Sequence, residues 1–315
     1  MQHIFIINPT AGSKDVSNQI NNNIFAAFPS FNAKNIYKTT HAGQATNLAK
    51  RLSAEPGEKC IYAVGGDGTL NEVVSGAYGA KDCHVSCVPT GSGNDFIKSF
   101  KINPKWFADL ARFKNATAKL VNVLEVNGRK CVNIISAGFD AKVGAFAQKM
   151  HKKNIVKGKL SYHLGVVFSL FSRINSKYKI TINDNEQLEG RFMLMCMGNG
   201  RYYGGGYNPC PWADLSDDKM EVVLVKKMSR FNILRIIGKY KKGRVRELPE
   251  KIATTHSASK IVIESEKPFY IQYDGECEKT TRAEISVLPE KLSFLLPTQT
   301  FVYPDLSEML PTAKA

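Results

Sequence analysis

Three short segments of this 315-residue chain combine glycine with hydroxyl, amide and carboxylate side chains in a pattern suited to phosphate. They are Asn8-Pro9-Thr10-Ala11-Gly12-Ser13-Lys14, Gly65-Gly66-Asp67-Gly68-Thr69-Leu70-Asn71-Glu72 and Pro89-Thr90-Gly91-Ser92-Gly93-Asn94-Asp95-Phe96. Glycine lets a backbone approach a phosphate closely and aim N–H groups at it, and a helix starting just after the loop adds its positive dipole end. Gly, Asn and Asp also make ordinary turns and caps, so one such loop alone says little. A carboxylate such as Asp67, set between glycines, is costly beside phosphates unless a cation or a proton transfer offsets it. Mg²⁺ keeps several waters and takes one or two carboxylates together with nucleotide phosphates, so Asp67 and Asp95 could contact it directly or through water. Asp95 equally suits the N-cap of a helix starting at Phe96. Late in the chain, Tyr273-Asp274-Gly275-Glu276 adds two carboxylates; by spacing alone it reads as a hairpin turn, since Asp-Gly is a favoured turn pair.

Each glycine segment follows an apolar run. Ile4–Ile7, Cys60–Val64 and Val85–Val88 read as strands, and Val16–Phe28, Ala45–Leu52 and Leu70–Tyr78 as helices. This alternation implies βαβ units and a parallel sheet covered by helices. In such a sheet the ligand crevice lies at the carboxyl ends of the strands, where all three segments fall. From about Lys119 the rhythm changes. Leu120–Val126 and Lys130–Ser136 read as a hairpin around Asn127-Gly128. Further strands are expected at Tyr178–Ile182, Phe192–Met197, Met220–Val225, Lys260–Ile263, Phe269–Tyr273, Glu284–Leu288 and Ser293–Leu296, with helices at 139–151 and 229–241. Many strands at hairpin spacing suggest an antiparallel β sandwich or a partly closed barrel. The boundary between the two units falls near residues 115–118.

Apolar residues make up 43% of the chain and charged residues 23%, ordinary values for a globular protein. The net charge of +15 is concentrated. Residues 142–159 hold six lysines and no acid; residues 226–246 hold nine lysines or arginines and no acid. Elsewhere the two signs balance. The second window contains an amphipathic stretch, 229–241, and basic amphipathic helices suit anionic membrane surfaces. No helix-turn-helix, zinc-finger or RNP pattern is present, so nucleic acid is not the expected partner. Seven scattered cysteines without a C-x-x-C argue against a disulfide framework or zinc site and for a reducing compartment. No apolar run reaches the length of a membrane span, and the N-terminal run is short for a signal peptide. Walker, dinucleotide-fold and protein-kinase motifs are missing.

At these residues the chain resembles the diacylglycerol kinase catalytic-domain superfamily, in particular the soluble bacterial lipid kinases related to sphingosine kinases. The resemblance rests on Asn8-Pro9-Thr10-Ala11-Gly12, the Gly65–Glu72 and Pro89–Phe96 segments, Ala137-Gly138-Phe139-Asp140 and Asp274-Gly275-Glu276, in family order. It implies an N-terminal α/β nucleotide-binding domain, residues 1–117 with 298–315 returning to it, and a C-terminal β-rich lipid-substrate domain, residues 118–297. ATP and Mg²⁺ would bind between them, with nucleotide contacts from Asn8, Pro9, Thr10, Ala11, Gly12, Thr39, Gly65, Gly66, Asp67, Gly68, Thr69, Leu70, Asn71, Ser92, Asn94 and Asp95. Ser92 stands where many relatives carry threonine, which keeps a hydroxyl. The resemblance makes Asp274-Gly275-Glu276 a catalytic loop rather than a plain hairpin, with Asp274 as first choice of base and Glu276 as second; Asp67 joins them in the catalytic set. Residues 211–219 resemble a structural Mg²⁺ loop with ligands Asp214, Asp217 and the Lys219 carbonyl, although Asp218 replaces a glycine usual in relatives.

The expected activity is ATP-dependent phosphorylation of a hydroxyl on a diacylglycerol-like or sphingoid lipid, in phospholipid metabolism, by a cytoplasmic protein peripheral to the inner membrane face. NAD kinase, which shares Gly-Gly-Asp-Gly-Thr and the fold, and a non-catalytic lipid-binding relative are the alternatives. The acceptor lipid and the oligomeric state, a homodimer included, stay open.

Overall fold

A computed structural model describes residues 1–12, 15–152 and 176–298. Ser13 and Lys14, the Leu160–Phe171 stretch, Lys153, Lys157 and Lys159 of the first basic window, and the 299–315 part of the expected return lie outside the described residues.

The first sheet contains β1 (Gln2–Ile7), β2 (Ile36–Lys38), β3 (Lys59–Gly65), β4 (Cys83–Pro89), β5 (Thr117–Val121) and, from far along the chain, β15 (Leu292–Leu296). Their order is β2-β1-β3-β4-β15-β5, parallel except for β5. Ile4–Ile7 and every residue of β3 are buried, as expected of parallel strands covered on both faces. Helices α1 (Ser17–Ala27), α2 (Gln44–Ser53) and α3 (Asp67–Ala77) connect the first strands. The chain leaves β1 to one side for β2 and returns to the other for β3. That reversal is the topological switch point at which open α/β sheets bind ligands.

The second sheet has nine strands: β6 (Leu124–Val126), β7 (Arg129–Cys131), β8 (Ile134–Gly138), β9 (Ser176–Ile182), β10 (Glu186–Gly198), β11 (Met220–Lys226), β12 (Ala253–Ala258), β13 (Lys260–Tyr273) and β14 (Glu276–Val287). All their pairings are antiparallel. Strand β10 pairs with β8 and β9, and both of these pair with β13, so four strands close into a small barrel-like ring. Helix α4 (Phe139–Lys152) follows β8 directly, and α5 (Arg230–Lys241) starts at Ser229, whose hydroxyl accepts from Asn232 N at 3.4 Å.

Several expected elements take a different form. The apolar run Leu120–Val126 is not one strand: β5 belongs to the first sheet and β6 to the second, with the crossing at Asn122, whose N–H donates to Leu215 O. Periodicity shows that both halves are extended but not that they join different sheets. The hairpin turn Asn127-Gly128 forms as read, with both residues at positive φ between paired Val126 and Arg129. Lys260–Ile263 and Phe269–Tyr273 are one strand, β13, interrupted by a register shift. Phe96–Phe100 is a 3₁₀ turn rather than an α-helix, and Asp95 gives it no side-chain cap. Within the expected 118–297 span, β15 and most of β5 lie in the first sheet.

The return through β15 is fixed by aromatic packing. Phe294 is fully buried, stacked on Phe100 at 5.0 Å between centroids and edge-on to Phe96 at 5.4 Å. Phe294→Ala is expected to cost about 3–5 kcal/mol, the range for deleting a buried phenyl ring. Urea unfolding checks this; a loss under about 1 kcal/mol, the scale of an exposed side chain, would mean that the return strand does not contribute to the core.

Candidate active site

Asp67, the first residue of α3, begins the helix three positions earlier than apolar periodicity indicates, because Leu70 N already bonds to Gly66 O. The second glycine segment is therefore both loop and first helical turn. The neighbouring loops close against it. Thr90 N and Gly91 N donate to Gly65 O, and a Cβ on Gly91 would lie 2.5 Å from Gly66 Cα. Gly12, at φ +87°, has its Cα so near Thr90 O that a Cβ would come within 2.4 Å. Only glycine meets both demands there. Asn8 ties the first loop to the helix, its Nδ2 donating to Thr69 Oγ1 at 3.0 Å.

These loops and the second sheet enclose a cavity of about 590 Å³. Of the expected residues, Asn8, Ala11, Gly12, Gly66, Asp67, Gly68, Thr69, Ser92, Asp95, Asp274 and Glu276 line it. Others shape the loops from behind. Thr10 donates through N and Oγ1 to Asn8 Oδ1, following Pro9 in the same turn; Asn94, at φ +49°, donates to Gly91 O; and Gly65 O takes the amides noted above. Thr39 N is bound to Ile7 O, Leu70 is buried in the core, and Asn71 donates to Lys130 O. None of these seven lines the cavity.

Asp274 is at once a hairpin-turn residue and a cavity-lining one. Asp274 (φ +44°) and Gly275 (φ +95°) form a two-residue turn between β13 and β14, closed by the Tyr273–Glu276 pair. The Asp274 carboxylate points back into the cavity wall, accepting from Val132 N (2.8 Å), Asn133 N (3.3 Å) and Ile134 N (3.2 Å). Burial pushes its pKa up, and those backbone bonds oppose the rise.

Asp67 Oδ1 accepts from Asp95 N at 2.8 Å. Burial first, then the charges of Asp95 and Asp274, push the Asp67 carboxyl up to about 6. The Asp95 carboxylate is itself paired: Lys98 Nζ lies 2.5 Å from Oδ1, and Gly205 N donates to Oδ2 at 2.7 Å. Three carboxylates thus converge with one ammonium against them, an arrangement that suits a cation shared with phosphates. Among the described residues no group of three or more His, Cys, Asp or Glu is placed to hold a metal unaided. Asp67 keeps Oδ2 outside its backbone bonds and is the best-placed ligand.

The 211–219 turn does not line the cavity. Asp214 Oδ1 accepts from Ser216 N and Oγ, and Asp217 Oδ1 accepts from Lys219 N at 3.1 Å. Asp218 adopts φ +63°, the conformation a glycine would supply, and pairs with Lys291 at 2.9 Å. Burial and then the charge of Asp214 raise the Asp217 pKa.

Residues not anticipated as site members also line the cavity: Glu72, Asn133, Ile134, Ser136, Gly144, Tyr203–Gly205 and Gln272. Glu72 ends the second glycine segment, and the Gly204–Gly206 run was a legible signal for the Tyr203–Gly205 strap; nothing in the sequence marked the others. Tyr203 is anchored beneath by Asp140 and by Tyr240 of α5, its hydroxyl bonding to both. Asp140, from the Ala137–Asp140 motif, is wholly buried, which pushes it up to about 6.

The sequence model described as "Diacylglycerol kinase catalytic domain" matches residues 2–126, and the "YegS C-terminal NAD kinase beta sandwich-like domain" matches residues 133–296. The chain belongs to the diacylglycerol kinase superfamily. Curated relatives include a Staphylococcus haemolyticus protein provisionally named a lipid kinase, 30% identical over 75% of each chain. A Mycobacterium tuberculosis protein named "Diacylglycerol kinase" is 29% identical over 76% of this chain and 78% of its own. A Bacillus anthracis crystal structure, provisionally named a diacylglycerol kinase, shares the fold with a TM-score of 0.71 at 23% identity, covering 93% of this chain and 96% of that one. The superfamily's two-domain plan, a parallel-rich sheet followed by an antiparallel one, is the architecture seen here.

The raised Asp67 pKa has a signed consequence. The folded chain holds this proton more tightly than the unfolded chain, so the burial cost is absent below about pH 4, grows as pH rises and is complete above about pH 6. Without nucleotide, Asp67→Asn is expected to stabilise the fold at pH 7.5 by about 3 kcal/mol, and by about half as much at pH 5. Calorimetry of both proteins at the two pH values checks this; no gain at pH 7.5 would mean that the carboxylate is not strained.

Proposed function

We propose that the chain is an ATP-dependent lipid kinase that transfers the γ-phosphoryl group to a hydroxyl of a membrane lipid. The observation that carries this reading is the meeting of phosphate loops from one sheet and the Asp274 turn of the other in one cavity. Phosphoryl transfer asks mainly for positioning and charge neutralisation. The loop amides and the N-terminus of α3 receive the phosphates. Asp274 takes the proton of the lipid hydroxyl as its oxygen bonds to the γ-phosphorus and the bond to the ADP oxygen breaks. Its three backbone bonds fix the carboxylate's direction and its burial raises its basicity. Glu276, exposed at the turn's far end, is the second candidate base. Asp67, with Asp95 beside it, would hold magnesium, which would supply neutralisation of phosphate charge. Asp214 and Asp217 each keep one oxygen outside the turn's bonds and repel each other, so with the Lys219 carbonyl they fit a second, structural cation.

Among the described residues no helix is long and apolar enough to cross a membrane. The α5 region offers another way to reach a bilayer. Phe231 is 80% exposed there, and Lys226, Lys227, Arg235 and Lys242 are exposed without an acidic partner among the described residues. Lys239 is less available, paired with Glu247 at 3.6 Å, and Lys241 lies over the Tyr207 ring. Each basic residue near an anionic surface adds about 1 kcal/mol of attraction.

Two outcomes are expected. Asp274→Ala should lower lipid phosphorylation from labelled ATP by at least about 100-fold, the usual scale for a lost general base; wild-type activity in a folded variant would remove Asp274 from the chemistry. The combined Phe231→Ser, Lys227→Ala, Arg235→Ala and Lys242→Ala variant should lose activity on anionic vesicles while keeping it on detergent-dispersed lipid. An equal loss in both would exclude α5 as the docking element.

A further inference from the structure

Helix α5 grips both ends of the glycine strap that lines the cavity. Gly204, Gly205 and Gly206 have φ of +58°, +80° and +116°, and a Cβ on Gly205 or Gly206 would meet nothing within 4 Å. Successive glycines leave the backbone its full freedom, so the strap takes its position from its ends. Those ends are Tyr203 and Tyr207, whose backbones exchange two hydrogen bonds of 2.9 Å. Tyr203 donates to the Asp140 carboxylate, and the Tyr240 hydroxyl of α5 lies 2.9 Å from that of Tyr203 and 3.4 Å from the same Asp140 oxygen. At the Tyr207 end, Lys241 Nζ stands 5.4 Å from the ring centre, and Lys241 O accepts from Asn208 N at 3.2 Å.

The phosphoryl-transfer chemistry leaves this cluster unused, although Asp140, Tyr203 and Tyr240 are all buried. Such a polar cluster adds less stability than apolar packing would, and it fixes one arrangement of the groups that share it. That arrangement reaches the site. Gly205, two residues after Tyr203, donates to Asp95 Oδ2 at 2.7 Å, and Asp95 N donates to Asp67 Oδ1 at 2.8 Å. A continuous line of hydrogen bonds and backbone therefore runs from α5 to the carboxylate best placed for a cation. The same helix exposes Phe231 and Arg235. Phe231 and Tyr240 are nine residues apart on it, about 14 Å, so a tilt imposed at one end is carried to the hydroxyl at the other.

We propose that Tyr203, Tyr240 and Asp140 are positioning residues that couple the seating of α5 on a membrane to the alignment of the Asp95 and Asp67 carboxylates. The inference rests on the lipid-kinase reading and on α5 as its docking element. With α5 seated, Tyr240 holds Tyr203, the strap presents Gly205 N to Asp95, and Asp95 keeps the third phosphate loop against Asp67. Removing either hydroxyl frees the strap while both rings keep their packing. The reaction then loses its response to the surface, although the surface is still bound.

The test compares wild type, Tyr203→Phe, Tyr240→Phe, Asp140→Asn and Asp140→Leu. The kcat is measured with dioctanoylglycerol in phosphatidylserine vesicles and in detergent micelles. Vesicle binding by sedimentation, unfolding temperature and amide hydrogen exchange of residues 203–207 are measured alongside. Wild type should have a kcat about tenfold higher on vesicles, the scale of one hydrogen bond, and each phenylalanine variant should lose most of that difference with vesicle binding unchanged. Asp140→Asn, which still accepts from Tyr203, should keep the difference, and Asp140→Leu should lose it. Without nucleotide, plain phosphatidylserine vesicles should slow strap exchange in wild type but not in Tyr240→Phe. No stimulation of wild type by vesicles, stimulation kept in both phenylalanine variants, or a loss explained by weaker vesicle binding overturns the coupling. A wild type that phosphorylates no lipid refutes the kinase reading instead. Strap exchange then decides the coupling alone: slowing that needs Tyr240 upholds it, and exchange unaffected by vesicles refutes it as well.

Discussion

Asp95 joins the two halves of the molecule. Its N–H donates to Asp67 at the start of α3, one carboxylate oxygen meets Lys98, and the other accepts from Gly205 in the strap of the second domain. A buried carboxylate is tolerable only when paired and hydrogen-bonded, and each of these contacts meets that demand. The same contacts set the width of the cavity, because they hold the third phosphate loop against a segment anchored below by Tyr203, Asp140 and Tyr240. Breaking one partner would leave a charge buried between the domains, which is more damaging than removing the whole pair.

Around that junction the site gathers negative charge that the protein does not neutralise by itself. Lys98 answers Asp95, but Asp67 and Asp274 remain inside a poorly solvated cleft, and the Asp67 carboxyl responds by titrating near 6. Such strain is kept where function needs it and is offset elsewhere by packing. Here the offset comes from the buried Ile4–Ile7 run of β1, the fully buried β3 and the aromatic cluster around Phe294, which back the loops. The Gly12 and Gly91 contacts work in the same direction, since backbones that nearly touch cannot drift apart without exposing the cavity floor.

In the first sheet β1, β3 and β4 were readable in the sequence because they are unbroken apolar runs with glycine loops at one end, whereas β2 carried no such signal and β5 and β15 read as strands of the second unit. The second was less so. Alternation located most of its strands, but it could not separate β5 from β6 across Asn122 or join the two parts of β13, since sheet membership and bulges depend on partners distant in sequence. The site shows the same division. Residues at strand ends announced themselves by type, whereas Ser136, Gln272 and Gly144 sit inside ordinary-looking elements and gain meaning only from the register that pairs β8 with β13. Asp274-Gly275 is instructive because one feature is both a hairpin turn and a cavity-lining carboxylate: Asp274 sits at positive φ and accepts from the amides of Val132, Asn133 and Ile134. From its position Asp95 suits either a magnesium contact or a helix cap; it caps nothing, and its carboxylate meets Lys98 and, 110 residues away, Gly205.

The central claim is that one cavity holds the phosphates of ATP on the first-sheet loops with the lipid hydroxyl at Asp274. A crystal structure of the chain with a non-hydrolysable ATP analogue, magnesium and dioctanoylglycerol tests it most directly. The account predicts the γ-phosphate on the amides of Gly66–Thr69, the metal on Asp67 and a glycerol hydroxyl against the Asp274 carboxylate. A nucleotide bound elsewhere, or a lipid whose hydroxyl lies away from Asp274 with the phosphates correctly seated, would contradict it.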